Sequence, residues 1–158
     1  MSKWVVLLHV AVAFAFVAGI VGRDLTLHKA RTSTDVNVAG ALVELAGRFE
    51  RILVKPGSFA VLAAGLWAAF ARDYSFTGSG NRWLLLSLIL YVSGIPFIPL
   101  VFLPRGRVFE RALMQAREKG EVTAELSAAF HDRAVAFARN YELVVIAAII
   151  VLMVTKPF

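Results

Sequence analysis

The chain has 158 residues, 59% of them hydrophobic and only 18% charged, with a formal net charge of +6. With glycine included, the apolar share rises to about two-thirds, against roughly 45–50% for a soluble domain, which excludes an ordinary water-soluble globule. The sequence contains no cysteine, so disulfides, thiolate catalysis, iron–sulfur ligation and cysteine zinc sites are excluded as well. Long uncharged runs separated by charged segments predict one compact, multi-pass membrane unit.

The first predicted span, Trp4 to Gly22, carries no formal charge. At ~1.5 Å per residue it crosses most of a hydrocarbon core about 30 Å thick. Lys3 ahead of small residues such as Ala13, Ala15 and Ala18 also suits a signal peptide, but the run lacks a polar region before a cleavage site and carries His9. The second span, Ile52 to Ala71, has Lys55 near its entry, placed to snorkel, and Pro56 in its first turn. The third, Trp83 to Leu103, has Trp83 as an interfacial anchor and Arg105 just beyond its far end. Pro96 and Pro99 deprive the carbonyls of Val92 and Ile95 of their helical partners, predicting a kink. In the fourth, the uncharged run Leu143 to Thr155 is too short to cross alone. The helix is therefore expected to begin near Ala134, taking in Arg139, Asn140 and Glu142.

Cations set the expected orientation. Six of them, Arg23 through Lys55, lie between the first and second spans, or at the entry to the second. Seven more, Arg105 through Arg139, lie between the third and fourth or at the entry to the fourth, and only Lys3, Arg72, Arg82 and Lys156 fall on the other side. The positive-inside rule then places segments 23–51 and 104–133 in the cytoplasm and both termini outside, in the bacterial inner membrane. The positive charge is read as topology plus attraction to anionic lipid, with no nucleic-acid partner. Both cytoplasmic segments have helical periodicity: Val38, Leu42, Leu45, Phe49, Ile52 and Leu53 in one, with Asp35 as N-cap, and Phe109, Leu113, Val122, Leu126, Phe130 and Phe137 in the other, with a turn at Lys119 and Gly120. They are expected to lie on the membrane surface or to cap the bundle. The predicted fold is thus all-α: a four-helix transmembrane bundle with amphipathic cytoplasmic helices between the first and second spans and between the third and fourth.

Two stripes of small residues, Ala11, Ala15 and Gly19, and Ala60, Ala64 and Ala68, predict close helix approach within the bundle or in a homo-oligomer. His9 is the one ionisable residue well inside an apolar span, and it needs a hydrogen bond, a metal or haem iron. His28 is roughly 28 Å further along a continuous helix, too far to share an iron with it. Met153, near the outer end of the fourth span, lies at a depth suited to a sixth ligand. At the inner boundary Glu44, Arg48 and Arg51 share a helical face, as do Arg139 and Glu142, so a structural ion-pair network between the entries of the second and fourth spans is expected. There is no HExxH, phosphate-binding glycine loop, GxSxG or acidic pair at metal-ligand spacing in the spans, and no metal site is predicted.

The stretches from Glu44 (ELAGRFERILVKPGS), Pro99 (PLVFLPRGRVFERAL) and Arg139 (RNYELVVIAAIIVLMVTKPF) resemble an uncharacterised family of small bacterial integral membrane proteins, a domain of unknown function. That resemblance covers nearly the whole chain; it implies four spans and brings no activity. Leu8-His9-Val10, followed by Ala18-Gly19, Arg23 and His28, remotely resembles the first helix of the HemJ-type protoporphyrinogen oxidases and the CopD-like membrane proteins. The HemJ likeness implies haem b ligation at His9. The run from Trp83 to Leu88 resembles the third-helix motif of that group but has Ser87 where a functional lysine is expected, which argues against porphyrinogen oxidation. Three functions are therefore expected in turn: a non-catalytic membrane subunit or scaffold with a homo-oligomeric or membrane-protein partner, a haem-b-binding or redox-associated protein ligating through His9, and a small transporter or channel component resting on the Pro96–Pro99 break.

Overall fold

The computed structural model describes residues 2–76, 78 and 80–157. Among them all regular structure is helical, and four stretches are long and apolar enough to cross a membrane: Lys3–Arg31, Val36–Phe70, Arg82–Lys119 and Ala124–Thr155. The chain divides into two units, Met1–Tyr74 and Ser75–Phe158, each an antiparallel hairpin of two long helices.

In the first unit α1 (Ser2–Arg31) turns at residues 32–35 into α2 (Val36–Phe49). Asp35 caps α2 as expected, its carboxylate accepting from the Asn37 amide at 2.7 Å. A π-turn, Glu50–Val54, then carries the helix into α3 (Lys55–Phe70). Pro56 is the cause. It has no amide to donate to the Ile52 carbonyl, and its ring crowds that oxygen, so the turn widens until the Lys55 amide reaches the Glu50 carbonyl, five residues back.

The packing face of α1 is Val5, His9, Val12, Phe16, Gly19, Arg23, Thr26 and Ala30, all buried or half-buried. The steps alternate between four and three, the 3.5-residue period of a left-handed helix pair. Opposite it, Val36, Ala39, Val43, Ala46, Glu50, Val54, Gly57, Val61, Ala64 and Ala68 line α2 and α3. Their alternation breaks once, with two successive steps of four across Ala46, Glu50 and Val54, where the π-turn inserts its extra residue. Glycines make the approach close. A Cβ on Gly19 would stand 2.6 Å from the Leu53 Cβ, one on Gly22 2.8 Å from the Phe49 ring, and one on Gly57 3.2 Å from the Phe16 Cβ.

This arrangement corrects two expectations. Ala11, Ala15 and Ala60 are exposed, so of the two small-residue stripes only Gly19, Ala64 and Ala68 are in the seam. Of the apolar residues at helical spacing in the segment before the second span, Val38, Leu45 and Ile52 point outward, while Val36, Ala39, Gly40 and Ala46 are buried. Small residues that admit close backbone contact take the interface. Nor do the intervening segments lie apart from the spans: α1 runs on to Arg31, and α2 continues directly into α3.

In the second unit α4 (Arg82–Ser93) is followed by a break at 94–97, a π-turn at Ile98–Phe102 and α5 (Leu103–Lys119). The predicted kink is present. The carbonyls of Val92 and Ile95, without their usual partners, accept instead from Ile95 N (3.0 Å) and Ile98 N (3.1 Å), three residues on. The π-turn again precedes a proline, Pro104, and again closes over five residues, from the Leu103 amide to the Ile98 carbonyl. Gly120, at φ 73°, ends α5 in the left-handed conformation at the turn foreseen there. After it come α6 (Ala124–Phe130), capped by Thr123, and α7 (Arg133–Thr155), capped by Asp132 and including Arg139, Asn140 and Glu142 as expected. Cross-helix contacts fix the register: Lys156 lies over the Trp83 ring at 5.4 Å, Tyr141 bonds Ser93, Arg105 pairs with Asp132 at 2.9 Å, and Phe109 meets Phe130 edge-on at 4.9 Å. Trp83, expected as an interfacial anchor, is instead buried. At the start of α4 its indole packs inside the hairpin, where the end of α7 covers it.

Candidate functional site

His9 occupies the seam of the first hairpin because the alternating pattern that buries Val5, Val12 and Phe16 also turns position 9 inward. It meets α3 at Gly65, where a Cβ would stand 2.9 Å from Cε1 and 3.3 Å from Nδ1 of the imidazole. Glycine there lets the ring lie close against the α3 backbone, and a methyl in its place would make the ring shift. The Val61 carbonyl interacts with the ring, yet Nδ1 is buried without a hydrogen-bond partner. An unpaired buried nitrogen is costly, and the site is the clearest unsatisfied chemistry in the first unit.

About one turn beyond Gly19 in the same seam lies a second polar group, one to which sequence reading gives no partner. The Arg23 guanidinium, with its residue 8% exposed, donates through Nε to Asp24 at 2.9 Å and through Nη1 to Glu50 at 3.0 Å. Glu50 opens the π-turn, so the wide turn and the ion pair share a residue. The sequence uses Arg23 for topology and in the remote first-helix resemblance, with no seam contact assigned to it. Its place in the four-and-three series running from Val5 was the signal that it faces inward.

Of the expected ion-pair network, Glu44 and Arg48 pair along α2 at 3.1 Å, both well exposed, and Arg51 projects outward from the π-turn. Exposed pairs of this kind add little to stability. Arg139 and Glu142 lie half-buried on α7, in the other unit. His9 and Met153 likewise belong to different units, Met153 being half-buried near the end of α7. His28 contacts Arg31 within α1, 3.1 Å away. Ser87 is buried on α4 and donates to the Trp83 carbonyl at 2.7 Å, a bond within its own helix.

The hydroxyl pair in the second unit adds a further polar contact. Ser93 donates to the Leu90 carbonyl at 2.6 Å, leaving its oxygen to accept from Tyr141, also at 2.6 Å. The Tyr141 ring meets Phe97 at a tilt, centroids 4.9 Å apart, so α7 braces the segment that Pro96 and Pro99 break. Among the described residues no three His, Asp or Glu side chains gather where they could hold a metal ion.

A family model described as a predicted integral membrane protein (DUF2269) matches residues 3–157. No curated protein and no solved structure matches the chain.

Proposed function

Since this chain belongs to the DUF2269 family of predicted integral membrane proteins, we propose that it serves the bacterial cytoplasmic membrane as a non-catalytic subunit or scaffold. It is a multi-pass membrane protein with four apolar helices in contact with the bilayer. The supporting observation is the distribution of side chains: Phe14, Leu25, Phe59 and Trp67 face outward, whereas the polar residues of the seam are engaged largely within the hairpin. Such a surface is built to meet lipid and other apolar helices. Its partner is a membrane protein or a second copy of the chain. Photocrosslinkers placed at Phe14 and Phe59 in native membranes test this: a discrete protein adduct is expected, and monomer alone at every outward position contradicts it.

In this reading both hairpin turns face the cytoplasm and both termini the outside, on the strength of the cation asymmetry. A reporter fused after Phe158 should be active only in its periplasmic format; cytoplasmic activity reverses the orientation.

A second reading rests on the His9 niche. The imidazole is held against the Gly65 backbone and makes no hydrogen bond through Nδ1, and such a ring would serve as a ligand to haem b. Haem bound there would supply one-electron chemistry, with His9 as ligand and Gly65 as the surface that orients the ring. Protein expressed with ample haem should show a Soret band that shifts on dithionite reduction and disappears in His9→Ala. Colourless protein after haem reconstitution contradicts it. The third expectation, transport through the Pro96–Pro99 break, gains no support from the local bonding, because the displaced carbonyls have found new donors.

A further inference from the structure

In each hairpin one long helix changes character along its outward face. On the helix of the first unit, Phe59 and Ile52 are large, apolar and exposed, and beside them Lys55 and Arg51, one turn apart, are exposed too. On the helix of the second unit, exposed Leu100 and Leu103 are followed at one-turn intervals by exposed Arg107 and Arg111. None of these four cationic side chains has a hydrogen bond or ion pair to another described residue, unlike Arg23, Arg48 and Arg105, which are paired. An unpaired outward cation directly after an outward aliphatic stripe marks the level where hydrocarbon gives way to headgroups.

Distance along the helix supports the same level. Arg107 lies about 6 Å and Arg111 about 12 Å beyond Leu103 at ~1.5 Å rise per residue. The headgroup layer adds about 5–7 Å to each side of the hydrocarbon core. Arg107 is therefore inside that layer, and Arg111 reaches it by bending its long side chain back. Near the membrane end of α5 Arg105, Arg107 and Arg111 stand against the single acid Glu110, whereas around the Gly120 turn Glu118, Glu121 and Glu125 outnumber Arg117 and Lys119. That gradient matches an anionic surface at one end only.

We propose that Arg51 with Lys55, and Arg107 with Arg111, are two binding sites for the phosphate of anionic phospholipids, with the adjoining aliphatic stripe carrying the acyl chain. Arginine suits the task because its planar fork donates two hydrogen bonds to one phosphate.

The test is native mass spectrometry of the full-length protein in detergent, loaded with phosphatidylglycerol or with phosphatidylcholine of the same acyl chains. The protein should retain phosphatidylglycerol preferentially, and raised salt should erode that preference. Arg107→Gln with Arg111→Gln, or Arg51→Gln with Lys55→Gln, should each lower retention at that site, by about fivefold per cation lost if each contributes about 1 kcal/mol near the surface. Arg117→Gln with Lys119→Gln should leave retention unchanged, and so should millimolar inorganic phosphate. Equal retention of the two lipids by the unaltered chain, an equal loss in the distal variant, or displacement by free phosphate would each overturn the assignment. Should a glutamine variant fail to fold, the salt response of the unaltered protein decides the matter.

Discussion

In the hairpin Met1–Tyr74 the helices meet through glycines, with Gly19, Gly22, Gly57 and Gly65 each receiving a side chain from the opposite helix. In Ser75–Phe158 they meet through rings and hydroxyls, while Gly94 and Gly106 have no cross-helix neighbour where a Cβ would go. The contrast follows from the breaks. A single π-turn before Pro56 leaves α2 and α3 continuous enough for backbones to run close along their length. Pro96, Pro99 and Pro104 within nine residues disrupt the other helix, and Phe97 and Tyr141 make the contact across it.

The largest effect that separates the two hairpins should come from Arg23→Ala. It strands Asp24 and Glu50 beside each other in the seam, and removing one partner of a buried ion pair costs about 3 kcal/mol. Unfolding in mixed micelles should show the loss, and Glu50→Gln should cost less because Asp24 remains paired. Next comes a matched pair of glycine substitutions. Gly19→Ala should destabilise by about 2 kcal/mol, since the new methyl meets the Leu53 Cβ and the helices must part. Gly106→Ala, in an exposed helical position, should stabilise by roughly 0.5–1 kcal/mol through helix propensity. Equal effects at the two sites would remove the distinction drawn between the hairpins.

Tyr141→Phe should cost about 1 kcal/mol, the value of one hydrogen bond, and should loosen the proline-broken segment, seen as faster amide exchange at residues 94–100. The smallest effect concerns the turn of the second hairpin. Its own backbone amide, the Thr123 hydroxyl and nearby Lys119 hold the Glu125 carboxyl below the ordinary glutamate range. A depressed value in the folded state means that the contribution is present above the unfolded value and is lost as pH falls through the folded one. Acidification below the usual glutamate range should therefore loosen the start of α6, read as amide exchange at Leu126, and Glu125→Gln should flatten that response.

Much of this was legible in the sequence. The uncharged run from Trp4, the cap at Asp35, the apolar stretch before Thr155 and the Pro96–Pro99 kink follow from local rules, and the structure has helices, cap and kink accordingly. What periodicity leaves open is direction. Apolar residues at helical spacing mark a face without saying what covers it, and Val38, Leu45 and Ile52 turn out of the seam that Val36, Ala39 and Ala46 fill. The seam was harder to see because it mixes His9, Arg23 and Thr26 with glycine and alanine and has no hydrophobic contrast with its surroundings. The π-turns were also missed, although the signal for each is a proline just after it, within a continuing helical run. Of the candidate site residues, His9 stands out in the sequence as the one ionisable residue of its apolar run, whereas the parts of Glu50 and Gly65 follow only from how the rest of the hairpin lies against α1.

The register of the first hairpin is tested most directly by engineered cysteines, since the natural chain has none to interfere. Phe16→Cys with Gly57→Cys places two sulfur-bearing carbons close to the 3.2 Å separation found between those positions, near the ~3.8 Å typical of a disulfide. This pair should form an intrachain bridge in native membranes, whereas Ala15→Cys with Ala60→Cys, both facing outward, should not. Bridging of the second pair within one chain and not of the first would contradict the account.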